Sequence, residues 1–214
     1  IVNITRQFNV MIMYFNMGIL LSQIKGKIKF TIGIVIFFLA IEVYAVLDQA
    51  LEMINSSGII TGGALKGLTA NRNITAFSIA VKIPFLLYFL YSAKKEQYKF
   101  FGSVLFALSL ISLSMIQSRA SLLATFFAIS AFIILNIFMF FKVEKRKKYW
   151  VLIAYTIVPV IFTLFVNQVY LAKKGADVVS RAATIAEVTT DDSITARIRY
   201  YSSVLEHLSH NPVF

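Results

Sequence analysis

Residues 100–141 read FFGSVLFALSLISLSMIQSRASLLATFFAISAFIILNIFMFF, and the only charge among them is Arg119. A helix that crosses hydrocarbon takes about 20 mostly apolar residues. This stretch is long enough for two such helices and is broken once, at Ser118-Arg119. A guanidinium is costly at membrane depth, so the break belongs at an aqueous edge. The stretch therefore reads as two spans, 100–117 and 120–141, folded back on each other as a tight helical hairpin.

Outward from this hairpin the same pattern recurs. Segments 30–47, 75–91 and 150–171 are long and apolar, and 4–21 is a weaker sixth, interrupted near its start by Arg6 and Asn9. The fold expected is an all-α, polytopic integral membrane protein of about six spans. A transmembrane bundle would occupy residues 1–171. Residues 172–214 would begin an extracytoplasmic loop. Composition agrees: hydrophobic residues make up 58% of the 214 positions and charged residues 14%, against about 25% charged in soluble domains. Mean hydropathy is +0.77. The chain starts at Ile1 and stops at Phe214, just after Asn211-Pro212, which reads as a fragment of a longer protein.

The net charge of +11 does not point to nucleic acid, because the basic residues do not interleave with aromatics on a polar surface. They sit in short loops between apolar runs. Lys25, Lys27 and Lys29, then Lys94, Lys95 and Lys99, then Lys142, Lys145, Arg146, Lys147 and Lys148 fall in one alternating set of loops; Lys66 with Arg72, and Arg119 alone, fall in the other. The positive-inside rule puts the richer set in the cytoplasm and Arg72, Arg119 and the tail outside. There are no cysteines and only two histidines, His207 and His210, so disulfides are excluded and a His-based metal site is not expected.

The outer segments carry the candidate chemistry. Residues 48–74, with Gly62-Gly63 and Asn71-Arg72-Asn73, read as an ordered loop. Arg119 opens a helix, where unpaired N–H groups and the positive dipole end favour an anion. Its planar fork suits phosphate; the plainer reading is a snorkelling anchor. Arg72 repeats the arrangement before the helix near Thr75, with a solvated loop charge as its plain reading. In the tail, Ile194, Ile198, Tyr201, Leu205 and Leu208 recur at helical spacing, so 193–208 is expected to be an amphipathic helix on the membrane interface or the bundle. On it Arg197 falls beside the apolar stripe and Arg199 opposite. Glu42 and Lys82 lie inside apolar spans, about two turns below the outer helix ends. Either they pair, or share a polar cavity, or each snorkels separately. Pro84 is expected to kink the helix that carries Lys82.

These residues also carry a resemblance. Ser118-Arg119-Ala120-Ser121-Leu122 is similar to the Ser-Arg-Gly/Ala-x-Leu signature of the O-antigen ligase and O-antigen polymerase superfamily. Ser193, Arg197, Tyr201 and Pro212 resemble its later block, and Gly67 to Asn73 with Ala76 an earlier one. The resemblance implies a type C glycosyltransferase at the outer face of the bacterial inner membrane, working without a nucleotide sugar, a metal or another cofactor. It implies an undecaprenyl pyrophosphate-linked glycan as donor and lipid A–core or another glycan as acceptor. Arg119 and Arg197 match family arginines implied to be catalytic and to bind the pyrophosphate; Arg72 matches that binding role less closely. The family's catalytic His lies beyond a Gly-x-Gly that does not occur here. His207 and His210 precede that point, so activity of this stretch alone is not expected. Two rival functions stand beside the ligase: an O-antigen or capsular polymerase, and a transporter of a lipid-linked substrate, for which buried Glu42 and Lys82 would be suited.

Overall fold

A computed structural model of the chain describes residues 26–142, 146–175, 199–204 and 206. Among these residues five long helices follow one another: α1 (Lys27–Ser57), α2 (Arg72–Ser92), α3 (Glu96–Ile116), α4 (Arg119–Lys142) and α5 (Arg146–Val166). A π-helical turn, Asn167–Leu171, and a 3-10 turn, Ala172–Lys174, prolong α5. All five helices are long and apolar enough to cross a membrane, and the chain is a multi-pass, all-helical membrane protein. The expected span 4–21 lies outside the described residues.

The helix ends have local causes. Asn71 caps α2, its Oδ1 accepting from the backbone N–H of Asn73 at 3.0 Å and of Ile74 at 3.5 Å, as a good N-cap residue does. Gly58 ends α1 in the left-handed region, φ 72°, the usual helix stop. Gln117 ends α3 in the same conformation, φ 57°, which lets the chain reverse within two residues before Arg119 starts α4. The polar stretch after Leu47, expected to be loop, is helical up to Ser57. Leaving hydrocarbon does not end a helix, and residues 48–57 contain no Gly or Pro until Gly58. Glu42 therefore lies fifteen residues before the end of α1 and Lys82 ten residues after the start of α2, roughly 22 and 15 Å of helix, deeper than two turns.

α2 packs against α1, α3 and α4, and α5 against α3 and α4. Its buried stripe Ala76, Ile79, Ala80, Ile83, Leu86, Leu87 and Leu90 keeps helical period and meets Leu39, Val43 and Val46 of α1 and Phe106, Leu110 and Leu113 of α3. α3 becomes wholly enclosed along 109–116. In α4 the usual distribution is reversed: its buried residues are Ser121, Thr125 and Asn136, while Phe126, Phe127, Ile134, Leu135, Phe138 and Phe141 are exposed. In water that would be an aggregating face. In hydrocarbon it is the stable arrangement, since lipid solvates the apolar side and small polar groups pack inward. Ser103 of α3 adds a cross-helix bond to the Tyr155 carbonyl of α5 at 3.0 Å.

Close approach of α2 and α3 rests on Gly102, where a Cβ would lie 2.8 Å from Leu90 Cδ2 and 3.2 Å from the Phe89 ring. Gly102→Leu should cost about 1–3 kcal/mol through overpacking. Gly33→Leu, with nothing within 4 Å of its Cβ position, should cost nothing measurable. Thermal unfolding in detergent compares the two, and equal melting temperatures would rule out the tight α2–α3 seam.

Candidate site at the arginine end of the bundle

Alternating helix direction sorts the basic residues by end. Lys27, Lys29, Lys94, Lys95, Lys99, Lys142 and Lys148 lie at one end; Lys66, Arg72, Arg119, Lys173 and Lys174 lie at the other. At the second end Arg72 is the first residue of α2 and Arg119 the first of α4. These helices pack against each other, so both guanidinium groups open neighbouring helix starts. Neither first turn contains an acidic residue. Two positive dipole ends thus carry added cations, an arrangement that attracts an anion. Both arginines are half-buried. The Arg119 Nε is enclosed, and the side chain is engaged within the protein.

The loop 58–71 joins these two starts. A Cβ on Gly62 would fall 2.8 Å from the Met115 carbonyl oxygen, at the end of α3, and one on Gly63 would fall 3.5 Å from Arg72 Nη1. Consecutive glycines therefore touch the α3–α4 turn on one side and the Arg72 guanidinium on the other. The loop is held from α1 by Gln49, whose Oε1 accepts from the N–H of Lys66 at 3.1 Å and of Gly67 at 3.0 Å. Thr75 of α2 locks it from the other side, its hydroxyl donating to the Lys66 carbonyl and lying 2.7 Å from the Thr69 hydroxyl.

A second strap comes from the end of α5. Gln117 Nε2 donates to the Gly175 carbonyl at 3.2 Å, and the Ile60 N–H donates to the Lys174 carbonyl at 2.6 Å. The turn after α5 is thereby tied both to the loop and to the residue two places before Arg119. Gln49, Gln117, Thr75, Lys173 and Lys174 were not singled out from sequence. Neutral amides leave no mark in a hydropathy or charge pattern. The one available signal was Gly62-Gly63, since paired glycines outside a helix often mark a close backbone approach.

Glu42 and Lys82 meet across the α1–α2 seam, Lys82 Nζ lying 2.7 Å from Glu42 Oε2. Ser78 Oγ donates to Glu42 Oε1 at 2.8 Å, and Lys82 Nζ also reaches Ser78 Oγ at 2.6 Å. Their side chains are 12% and 18% exposed. The pair neutralises itself within the seam, so the feature that favoured a transporter is used up by helix packing. Of the expected helix 193–208, residues 199–204 are described and helical. Tyr201, expected on the apolar stripe, is as exposed as its neighbours, so these residues do not pack on the bundle. Arg199 is exposed as well. Arg197, His207 and His210 lie outside the described residues.

A model of the O-antigen ligase family matches residues 104–214, from within α3 to the last residue, just over half of the chain. The chain belongs to the O-antigen ligase family. No curated protein and no solved structure matches it. Within this O-antigen ligase family chain, the matched part contains Arg119 and Arg197, while Arg72, Glu42 and Lys82 lie upstream of it. Membership places the chemistry in the ligase- or polymerase-like class of glycan enzymes.

Gly62→Ala should displace the α3 carbonyls and separate the two arginine-bearing starts, lowering activity of the full-length protein more than about tenfold, because the conflicting atom is backbone. Gln49→Ala should cost about 2 kcal/mol, two net hydrogen bonds, read as a lower melting temperature and faster proteolysis within 58–71. Glu42→Ala alone leaves a buried ammonium and should cost about 3 kcal/mol, whereas Glu42→Leu with Lys82→Met should recover most of it. If the double variant melts no higher than the single, the pair is not what couples α1 to α2.

Proposed function

We propose that this O-antigen ligase family member transfers a glycan from an undecaprenyl pyrophosphate carrier to an acceptor sugar, with lipid A–core as the leading acceptor class. The reaction would take place at the outer face of the bacterial inner membrane. The observation that carries this reading is the placement of Arg72 and Arg119 at the starts of two packed helices, at one end of a bundle whose other end carries most of the lysines. The positive-inside rule assigns the lysine end to the cytoplasm. The arginine end then faces the extracytoplasmic side.

The chemistry follows from charge. An acceptor hydroxyl gives its proton to a general base and attacks the anomeric carbon of the donor sugar, and the bond from that carbon to the pyrophosphate oxygen breaks. Negative charge grows on the departing diphosphate. Enzymes that act on nucleotide-activated sugars often offset such charge with a metal ion; here the donors would be guanidinium groups. Each presents a planar fork that matches phosphate oxygens bidentately, and stabilisation of growing charge is commonly the largest catalytic term. Arg119 and Arg72, at the starts of two packed helices, would supply such forks, and Arg197 is proposed to join them from the tail. A polymerase that passes the glycan to another lipid-linked repeat would use the same donor chemistry and differ only in the acceptor.

In the full-length protein, Arg119→Ala should lower transfer at least about 100-fold, the typical loss on removing one donor to developing charge, with membrane insertion unchanged. Arg119→Lys should retain part of the activity, because charge remains while the fork is lost. Arg199→Ala should stay near wild type. Wild-type transfer by Arg119→Ala would defeat the role assigned to this end. Glycan profiling of a deletion strain separates the two acceptors: complete loss of capped lipid A–core supports ligation, and single-repeat caps support polymerisation.

A further inference from the structure

At the lysine end, α1 and α2 part to leave an open groove of about 580 Å³. One wall is Lys27, Ile28, Thr31 and Ile32, a stripe at i, i+1, i+4 and i+5 along the first turns of α1. The other is Pro84, Phe85 and Tyr88 on α2. Because the helices run in opposite directions, the groove is polarised. Lys27 and Tyr88 stand at its outer end, and Ile32 and Pro84 at its inner end. Thr31 donates its hydroxyl to the Lys27 carbonyl at 2.8 Å, which spends that group on its own helix and leaves the walls apolar.

The charge at the mouth is not cancelled from within. Among the described residues the ion pairs are Lys82 with Glu42 and Lys99 with Glu96, so no carboxylate pairs with Lys27. The first turn of α1 holds Lys27 and Lys29 and no acidic residue, a placement that opposes the helix dipole and that a bound anion would relieve. Tyr88 lies sixteen residues along α2 from Arg72, roughly 24 Å of helix. An anion seated at Lys27 is therefore distinct from a diphosphate held at Arg72 and Arg119.

We infer that this groove seats an anionic phospholipid, its phosphate at Lys27 and one acyl chain against Ile28, Ile32, Pro84 and Phe85. An acyl chain matches walls that offer no polar partner, and a phosphate is the lipid group that matches an uncompensated ammonium at a helix start. Tyr88 at the mouth is half-exposed, and a tyrosine there suits the headgroup level, with an apolar ring and a polar hydroxyl. The site is independent of the glycan chemistry at the opposite end.

The test uses the full-length protein with a photoreactive benzoylphenylalanine at Phe85, in nanodiscs of phosphatidylcholine containing about one tenth phosphatidylglycerol. The expected adduct is phosphatidylglycerol, enriched well above its share of the bilayer. Lys27→Ala should lower that enrichment about fivefold, the weight of one basic residue at a charged lipid surface. Ile28→Trp, which fills the groove, should suppress the adduct while leaving glycan transfer unchanged. Adducts that follow the bulk lipid ratio would overturn the inference, as would adducts to residues 1–25 of the same chain or to a second copy. Loss of glycan transfer in Arg119→Ala bears on the opposite end alone and leaves this result untouched.

Discussion

A guanidinium cannot rest in the middle of a bilayer without a partner or water, and in this chain that constraint acts at Arg119. It stands in the centre of the longest apolar stretch, so the stretch must turn there and place the turn at a membrane edge. Gln117 makes the turn by adopting the left-handed conformation, which reverses the chain in two residues. Everything at that end is then arranged around the turn: α3 rises to it fully enclosed, α4 leaves from it, and the end of α5 is tied back to it through Gln117.

The same solvent argument explains why α4 is built inside out. Hydrocarbon solvates Phe126, Phe127, Ile134 and Leu135 as well as a protein core would, so no drive exists to bury them. What α4 gains by packing on α2 and α5 is close contact through small side chains, with Ser121 and Thr125 turned inward. Charges obey the complementary rule. Glu42 and Lys82, caught at depth, neutralise each other and Ser78 completes their hydrogen bonding. At the lysine end Lys99, buried on α3, pairs with the exposed Glu96 one turn earlier. The bundle thus has a self-cancelled middle and two unlike ends, one built of ordered loops around arginines and the other of lysines around an open groove.

This division gives the proposed transfer a physical setting. A diphosphate on an isoprenoid carrier arrives through the lipid, and its anionic group travels at the membrane edge. A receptor for it needs fixed cations at that level, held by a frame stiff enough to keep them aimed. Gln49, Thr75, the paired glycines and the strap from Gly175 form such a frame. Gln49, Thr75 and Gln117 hold it through backbone atoms.

From sequence alone the hairpin at Arg119 and the apolar cores of the described spans were legible, because hydrocarbon penalises charge so steeply that a charge inside an apolar run admits few placements; for Glu42 and Lys82, pairing stood beside a shared cavity and separate snorkelling until the helices packed. The extension of α1 to Ser57 was not, since polarity marks where a helix leaves lipid and not where it ends. Nor were the glutamine clamps or the groove between α1 and α2. Their partners are backbone atoms 17 to 58 residues away or a gap between two helix surfaces. Such features depend on how helices diverge and on which carbonyl a neutral amide can reach, and that is decided only once the helices have packed.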